Sequence, residues 1–305
     1  MAALGQPADD ARLIWVHSPG RGGQVLLIEP ADGERLLLKL ARHRHRSAAL
    51  RHETRVLRAL QCAKLAEFAG LVPKPVVAGA ASGWYFAAQT ALDGRSPAGA
   101  ATGLSTPLLA NALRAIGVLH RATKQPIVVG RRELQRWVGR RMRIVKALLA
   151  MDGHRSLAAS ADAIERDLRA RLDGRAVATC LTHGDYWHKN VLVAGDSIVG
   201  VIDWDSAAYG ELPSNDYFHF VLTARRWPDR TPWGQVVANV LTTGWSHAER
   251  DLFGIAMVPR PADAPEMLAL YWLQCVEASR RRDPETTASR RWIRANVACV
   301  VEALN

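Results

Sequence analysis

The change of pattern near Gly94 constrains the fold of this chain most strongly. Before that point, short apolar segments alternate with turns that contain glycine or aspartate, which is typical of strands and hairpins. Beyond it, apolar residues recur at helical spacing, starting at Thr106-Pro107. The sequence therefore predicts an α+β protein with a small, antiparallel β-rich part at residues 1–94 and a larger, mainly helical part at residues 95–305.

The first part reads as a sheet with one helix. Apolar segments predict strands at residues 13–16, 25–28, 36–40, 72–78 and 84–89. Between the third and fourth strands, Leu50, Leu57 and Leu60 share one helical face, and Ser47 is the predicted N-cap of that helix.

Two charged residues stand out in this part. Lys39 lies inside an otherwise apolar strand, and Glu53 falls on the same helical face as Leu50 and Leu57. A buried charge is costly unless it is paired, so we expect Lys39 and Glu53 to form an ion pair. The alternative from these residues alone is a surface glutamate on a helix turned the other way.

The second part contains a small group of strands within the helical pattern. Strands are predicted at 178–182, 191–193 and 198–202, and helices near 130–150 and 156–173. Everything after Asp216 reads as helix and loop, and Asp216 is the predicted cap of the helix that follows it.

The densest polar residues stand at the ends of these short strands. The run His183-Gly184-Asp185 is followed by Asn190, and after a predicted hairpin by Asp203. Phosphoryl transfer needs a carboxylate to orient the attacking hydroxyl, oxygen ligands for Mg²⁺, and a cation on the nucleotide phosphates. Together with Lys39, the chain has all three.

The pattern H-G-D-x-x-x-x-N followed by I-D-W-D closely resembles the catalytic and metal-binding motifs of the aminoglycoside phosphotransferase and choline kinase families. These families are relatives of the protein kinases. The resemblance implies a protein-kinase-like fold with two lobes and an ATP- and Mg²⁺-dependent kinase. It makes Asp185 the catalytic base, Asn190 and Asp203 the magnesium ligands, and Lys39, held by Glu53, the residue that binds the α/β-phosphates.

The resemblance also suggests further roles in the nucleotide site. The turn with Gly20, Gly22 and Gly23 is a weak match to a phosphate-covering loop, because a valine stands where the last glycine of G-x-G-x-x-G would be. Gln89 and Ala91, at the connector after the fifth strand, are the other predicted nucleotide contacts. The connector is atypical, so GTP remains an alternative to ATP.

Three more residues of the predicted catalytic loop, residues 183–190, have predicted roles. His183 would brace the loop. Lys189 would reach the transferred phosphoryl group, and its alternative is a surface lysine beside a metal ligand. Trp187 is the tryptophan most open to a substrate-stacking role.

Charge and composition limit the classes of molecule that this protein is expected to bind. The formal net charge is +11, but the basic residues are spread along the chain, so no dedicated nucleic-acid site is expected. Residues 206–305 hold 11 acidic residues and 11 arginines, which does not indicate a trap for a polycation. The predicted partner is a small molecule with a hydroxyl acceptor, such as a sugar, an antibiotic or an amino alcohol; the alternative function is a non-catalytic, nucleotide-binding regulatory module.

The remaining features point to a cytoplasmic protein. No apolar run approaches the ~20 residues that a membrane span needs, and no signal peptide is recognised at the N-terminus. The four cysteines are far apart in sequence, so we expect buried thiols and neither a disulfide framework nor a zinc site.

Overall fold

The computed structural model describes residues 12–17, 23–97, 104–153, 155–256 and 265–305. By its internal contacts the chain divides into two compact units. Unit 1 consists of Met1–Gly99, Val118–Ala122 and His183–Ala208, and unit 2 of Ala100–Gly117, Thr123–Thr182 and Tyr209–Asn305. The segment with the predicted catalytic residues therefore groups with the N-terminal sheet, and the lobe boundary at residue 94 stays a prediction.

The strands and helices of the described residues are numbered in chain order. The strands are β1 (Arg12–His17), β2 (Gly23–Glu29), β3 (Leu36–Ala41), β4 (Pro75–Ala81), β5 (Trp84–Thr90), β6 (Gln125–Val128), β7 (Ala176–Thr182), β8 (Val191–Ala194), β9 (Ser197–Val201) and β10 (Ala208–Glu211). The helices are α1 (Arg44–Leu60), α2 (Ala66–Ala69), α3 (Thr106–Ala122), α4 (Arg131–Leu134), α5 (Arg140–Met151), α6 (Arg155–Leu172), α7 (Ser214–Arg226), α8 (Trp233–Thr243), α9 (His247–Ile255), α10 (Pro265–Arg282), α11 (Pro284–Thr287), α12 (Arg290–Ile293) and α13 (Cys299–Leu304).

Unit 1 is built on a five-stranded antiparallel sheet in the order β1-β2-β3-β5-β4. The five predicted strands are confirmed, and their ends shift by at most three residues. The largest shift is in β4, because its pairing with β5 continues up to the tight turn at Ser82 and Gly83, which both have positive φ angles.

Helix α1 packs against this sheet through its apolar face. Leu50, Leu57 and Leu60 are buried as predicted, and Glu53 is buried with them. The predicted N-cap is wrong: the helix begins at Arg44, and Ser47 lies inside it. The Ser47 hydroxyl instead donates a hydrogen bond to the last carbonyl of β3, at Ala41 (3.3 Å), so it serves the end of the strand and not the start of the helix.

The hairpin of β8 and β9 joins the N-terminal part of unit 1 through backbone hydrogen bonds. Arg95 and Val193 exchange two of them, at 3.1 and 2.9 Å, and the Val201 N–H donates to the Leu71 carbonyl at 2.7 Å. These bonds attach the strands that flank the predicted metal ligands to the segments around the five-stranded sheet.

Unit 2 is mainly helical, as predicted. Helix α3 begins at Thr106, with the Ser105 hydroxyl accepting from the Leu108 N–H (3.2 Å). Helices α4 and α5, joined by a π-helical turn, and helix α6 match the helices predicted near 130–150 and 156–173. Asp216 is not the cap of α7, because it lies in the first turn of that helix, fully buried.

A small sheet with the order β10-β7-β6 accompanies these helices. The sequence predicted β7 but not β6 or β10. Each of the two has only four residues, too few for a clear alternation of apolar and polar positions. Pro126, within β6, is compatible with its place at the edge of the sheet.

The remaining sequence expectations concern membranes and thiols. Within the described ranges, no helix is both long and apolar enough to cross a membrane. The four cysteines are free thiols in the structure. Cys180 is buried, but Cys62 is exposed, and the expectation of a buried thiol is wrong there.

Candidate active site

Lys39 is the centre of a charged triad in unit 1. Its Nζ atom donates to Glu53 Oε1 and to Asp203 Oδ1, each at 2.7 Å. The side chains of Lys39 and Glu53 are only 13% and 4% exposed, whereas that of Asp203 is 55% exposed. The predicted Lys39–Glu53 pair is confirmed, and the structure adds Asp203 as its third member.

The local fold explains why these charges meet. Lys39 lies in β3 between Val25 of β2 and Ala87 of β5. Helix α1 packs on this sheet with Glu53 on its buried face. The lysine stem is therefore packed among apolar neighbours while its ammonium group is held by carboxylates.

The electrostatics of the triad are dominated by burial and by these short contacts. Burial favours a lower pKa for Lys39, but Glu53 and Asp203 outweigh it and the pKa is raised. Burial raises the pKa of Glu53 against the attraction of Lys39, and the lysine charge lowers the pKa of Asp203. The triad has two carboxylates for one ammonium group, which favours the approach of a further cation.

His183 links the catalytic loop to the strand before Asp203. Its Nε2 atom donates to the Ile202 carbonyl at 2.9 Å, and its Nδ1 atom accepts from the Asp185 N–H at 3.3 Å. A carbonyl can only accept and an N–H can only donate, so these two bonds require the neutral ring with its proton on Nε2. His183 thus has the predicted bracing geometry.

Gly184 allows the catalytic loop to approach the segment after Asp203. It has a φ of +80°, and a Cβ atom there would lie 2.2 Å from the Ser206 carbonyl oxygen. A side chain would therefore be strained and would collide with backbone. The H-G-D run needs glycine at this position for geometric reasons.

Asn190 closes the catalytic loop. Its Nδ2 atom donates to the Asp185 carbonyl at 2.9 Å and lies 3.4 Å from Asp185 Oδ2. The Ile202 N–H donates to the Asn190 carbonyl at 2.9 Å. The loop thus uses the amide nitrogen of Asn190, and the amide oxygen is the atom that can coordinate a cation.

Asp203 adopts a left-handed backbone conformation, with φ 63° and ψ 65°. Such a conformation costs about 1–3 kcal/mol in a residue other than glycine and persists only where its surroundings hold it. The next residue, Trp204, is fully buried, donates from Nε1 to the Val201 carbonyl at 2.9 Å, and packs against the His183 ring at 4.5 Å. Buried contacts on both sides therefore hold the exposed carboxylate of Asp203.

The donor set suits Mg²⁺. Asp203 uses Oδ1 for Lys39 and has a second carboxylate oxygen, and Asn190 supplies an amide oxygen. Mg²⁺ prefers such hard oxygen ligands and usually takes only one or two carboxylates from the protein, with water and phosphate completing its shell. The described residues contain no cluster of three or more histidine, cysteine, aspartate or glutamate side chains that could hold a metal ion.

Lys189 lies beside the ring of Trp187. The lysine is exposed, and its Nζ atom lies 5.0 Å from the centre of the Trp187 ring, a cation–π arrangement. His188 beside it is buried, and burial, with a smaller contribution from Lys189, lowers the pKa of His188 to about 4. Contact of Lys189 with a phosphoryl group stays a prediction.

The predicted nucleotide contacts are only partly described. Gly20 and Gly22 lie outside the described residues. Gly23 begins β2, where a Cβ atom would lie 3.2 Å from the guanidinium of Arg46. Gln89 is buried in β5, and the Ala91 N–H donates to the Arg35 carbonyl at 2.7 Å. Contact of either residue with a nucleotide stays a prediction.

Sequence reasoning missed two residues that shape this site. Trp204 is part of the I-D-W-D pattern but has no predicted role, and His52, directly before Glu53, belongs to no motif. His52 Nε2 lies 2.7 Å from the Ala207 carbonyl. No sequence signal could have found this bond, because its acceptor is a backbone carbonyl far along the chain.

Solved structures of antibiotic phosphotransferases share this fold. The aminoglycoside phosphotransferase APH(4)-Ia, solved as a ternary complex with ADP and hygromycin B, aligns with a TM-score of 0.58 and 15% identity over 96% of this chain and 94% of that chain. The macrolide 2'-phosphotransferase MphH from Brachybacterium faecium aligns with a TM-score of 0.54 and 18% identity over 98% and 93% of the two chains. At these identities the likeness establishes the fold, and the predicted kinase-like α+β class is confirmed.

A third structure, the streptomycin–ATP complex of APH(2")-IIa, gives a TM-score of 0.58 at 14% identity over 95% of this chain and 93% of that chain. No curated protein sequence matches the chain. The profile of the family described as "Phosphotransferase enzyme family" matches residues 16–251, which is well over half of the chain. The sequence motif, the fold and this match agree, and the chain is therefore a member of the phosphotransferase enzyme family.

Proposed function

We propose that this phosphotransferase uses ATP and Mg²⁺ to transfer the γ-phosphoryl group to a hydroxyl of a small molecule. The observation that carries the proposal is the bridging of Glu53 and Asp203 by Lys39, at 2.7 Å on each side, within the unit that also contains Asp185 and Asn190. Phosphoryl transfer depends on positioning and on charge stabilisation, and these groups supply both.

Lys39 is the proposed phosphate-binding cation. Glu53 fixes its ammonium group from the buried side, and the exposure of Asp203 leaves that end open to a ligand. The ammonium group of Lys39 is therefore preorganised to bind the nucleotide phosphates, and little reorganisation is needed.

Asp203 and Asn190 are the proposed magnesium ligands. When bound, Mg²⁺ neutralises negative charge on the phosphate oxygens. The low pKa of Asp203 keeps its carboxylate ionised at neutral pH, as a ligand must be. The left-handed backbone at Asp203 presents that carboxylate beside Lys39.

Asp185 is the proposed base. His183 receives the Asp185 N–H, and Asn190 donates to its carbonyl, so the aspartate backbone is held at two points. A carboxylate so fixed can orient the acceptor hydroxyl and take its proton as the phosphoryl group is transferred.

The acceptor is proposed to be a small alcohol, which agrees with the antibiotics named for the similar structures. In unit 2, several carboxylates are already paired with arginines: Glu211 and Glu277 with Arg141, and Glu266 with Arg175. These carboxylates are not available to a polycationic drug, so the acceptor test needs neutral sugars and macrolides as well as aminoglycosides.

The test is transfer of label from [γ-³²P]ATP. Purified protein is incubated with Mg²⁺ and, in turn, hygromycin B, streptomycin, a macrolide and neutral sugar alcohols, with ADP release measured with and without each acceptor. We expect acceptor-dependent ADP release and a labelled product, both lost in Asp185→Asn. Metal-dependent nucleotide binding without transfer to any acceptor would favour the non-catalytic regulatory module; parallel assays with GTP decide the nucleotide.

A further inference from the structure

His52 connects helix α1 to the segment that follows Asp203. Its Nε2 atom lies 2.7 Å from the Ala207 carbonyl oxygen, and the histidine is only partly exposed. Because a carbonyl only accepts, the imidazole nitrogen must donate. A bond of this length in a partly buried place is a well-formed hydrogen bond.

This bond closes one end of the strained turn at Asp203. On the N-terminal side, His183 donates to the carbonyl of Ile202, and on the C-terminal side, His52 donates to the carbonyl of Ala207. The left-handed Asp203 lies between these two fixed carbonyls. A conformation of this kind persists when both flanking segments are held.

Helix α1 is therefore attached to this turn at two points. Glu53 reaches the side chain of Asp203 through Lys39, and His52, its direct neighbour in sequence, reaches the backbone at Ala207. The first attachment uses charges that a bound nucleotide and its metal will redistribute. The second is a hydrogen bond to a backbone carbonyl and involves no carboxylate.

We propose that His52 is a positioning residue that holds the Asp203 turn in the geometry needed to bind the cation. It acts through the backbone from Ala207 to Asp203 and touches no substrate itself. The inference rests on the proposed role of Asp203 as a magnesium ligand. Groups that orient a metal ligand in this way commonly affect metal affinity or activity by about 10–100-fold.

The test compares three variants. His52→Leu removes the donor, and His52→Gln keeps an N–H donor on a side chain of similar reach. His45→Leu is the matched control, because it makes the same change at an exposed position in the first turn of the same helix. For each, the Mg²⁺ dependence of binding of a non-hydrolysable ATP analogue is measured by calorimetry.

We expect His52→Leu to need about 10-fold more Mg²⁺ for half-maximal nucleotide binding. His52→Gln should recover most of that loss, and His45→Leu should match the wild type. Equal Mg²⁺ requirements in all four proteins, or equal impairment in His52→Leu and His52→Gln, would overturn the proposal.

Amide hydrogen exchange supplies a second readout that needs neither metal nor turnover. The Ala207 N–H is bonded to the Trp204 carbonyl at 3.2 Å and reports on the turn directly. We expect faster exchange over residues 203–208 in His52→Leu alone, with β8 and β9 unchanged. Unchanged exchange there, or an equal rise throughout unit 1, would contradict the positioning role.

The two readouts separate this inference from the proposed function. If the wild type shows no metal-dependent nucleotide binding, the assignment of Asp203 as a magnesium ligand fails, and with it the catalytic meaning of the His52 bond. Normal metal-dependent binding in the wild type together with an unaffected His52→Leu variant would leave the proposed function standing and reject only the role of His52.

Discussion

Each unit contains a cluster of charged side chains, and the two clusters differ in their ratio of cations to carboxylates. In unit 1, Lys39 serves both Glu53 and Asp203, so one cation faces two carboxylates. In unit 2, three arginines face two carboxylates: Arg141 lies 3.3 Å from Glu211 and 3.0 Å from Glu277, with Arg136 and Arg140 as further partners of these glutamates.

The clusters also differ in exposure. The side chains of Arg141 and Glu211 are only 6% and 8% exposed, whereas Asp203 is open to solvent. In the unit 2 cluster both carboxylates are paired with the buried Arg141, so no unpaired negative charge is left to attract a cation. An open cluster with excess negative charge, as in unit 1, is suited to bind a cation, and this contrast is the reason to propose a functional site there and a structural role for the unit 2 cluster.

The largest expected effect is the loss of turnover when the proposed base in unit 1, Asp185, is replaced. Asp185→Asn removes the proposed base but leaves Lys39, Asn190 and Asp203 in place, so turnover should fall ~10²–10⁴-fold with nucleotide affinity nearly unchanged. Steady-state kinetics and calorimetry measure the two quantities. Asp93→Asn, in a surface ion pair with Arg35, is the control. Unaltered turnover in Asp185→Asn would remove it from the mechanism.

Substitutions in the unit 2 cluster around Arg141 should lower the stability of the protein and leave turnover unchanged. Arg141→Met leaves Glu211 and Glu277 with only their outer arginines, so the free energy of unfolding should fall by about 3 kcal/mol, the lower end of the range for breaking a buried pair. Urea unfolding measures it. Arg143→Met, an exposed position in the same helix, should change stability by less than about 0.5 kcal/mol. Equal losses in the two variants would show that the unit 2 cluster is not the stabilising element.

Lys39→Met should lower turnover strongly and stability only slightly, the opposite of what is expected for Arg141→Met. The variant lacks the ammonium group that is proposed to bind the nucleotide phosphates, so ATP-dependent turnover should fall by about 10²-fold. The stability loss should be smaller than in Arg141→Met, because water screens the exposed Asp203 and because burial raises the pKa of Glu53, so that this carboxyl can become neutral by taking up a proton. Turnover and urea unfolding on both variants make the comparison, and a stability loss in Lys39→Met as large as in Arg141→Met would contradict it.

The smallest effect concerns pH. Burial lowers the pKa of His188 from 6.5 to about 4, so below pH 6.5 the unfolded chain takes up a proton that the folded chain does not. Stability should therefore fall as the pH drops from 6.5 towards 4, by about 1 kcal/mol at pH 5.5 from this group. His188→Leu should flatten the dependence of urea unfolding on pH, and His45→Leu should not. If the stability of His188→Leu depends on pH as strongly as that of the wild type, the pH dependence comes from other groups.

Much of unit 1 could be predicted because its sequence and its fold agree locally. The strands follow short apolar segments, and the Lys39–Glu53 pair followed from two charges that each needed a partner. Asp203 as the third member could not be predicted in this way, because an exposed carboxylate does not need a partner and nothing in its local pattern points to Lys39.

The errors have similar causes. Ser47 is a good cap by type, but its hydroxyl bonds to Ala41, so tertiary structure decided its role. The strands β6 and β10 were too short to show a period. The bond of His52 joins a side chain to a backbone carbonyl 155 residues away, and backbone acceptors are the same at every position.

The central claim is that the open cluster of unit 1 binds a nucleotide together with Mg²⁺ through Asp203. The most direct measurement is the affinity of the wild type and of Asp203→Ala for a non-hydrolysable ATP analogue, with Mg²⁺ and with a chelator, by calorimetry. The account predicts tighter binding with Mg²⁺ in the wild type and no difference in Asp203→Ala. Equal affinity with and without Mg²⁺ in the wild type, or an undiminished Mg²⁺ effect in Asp203→Ala, would contradict it.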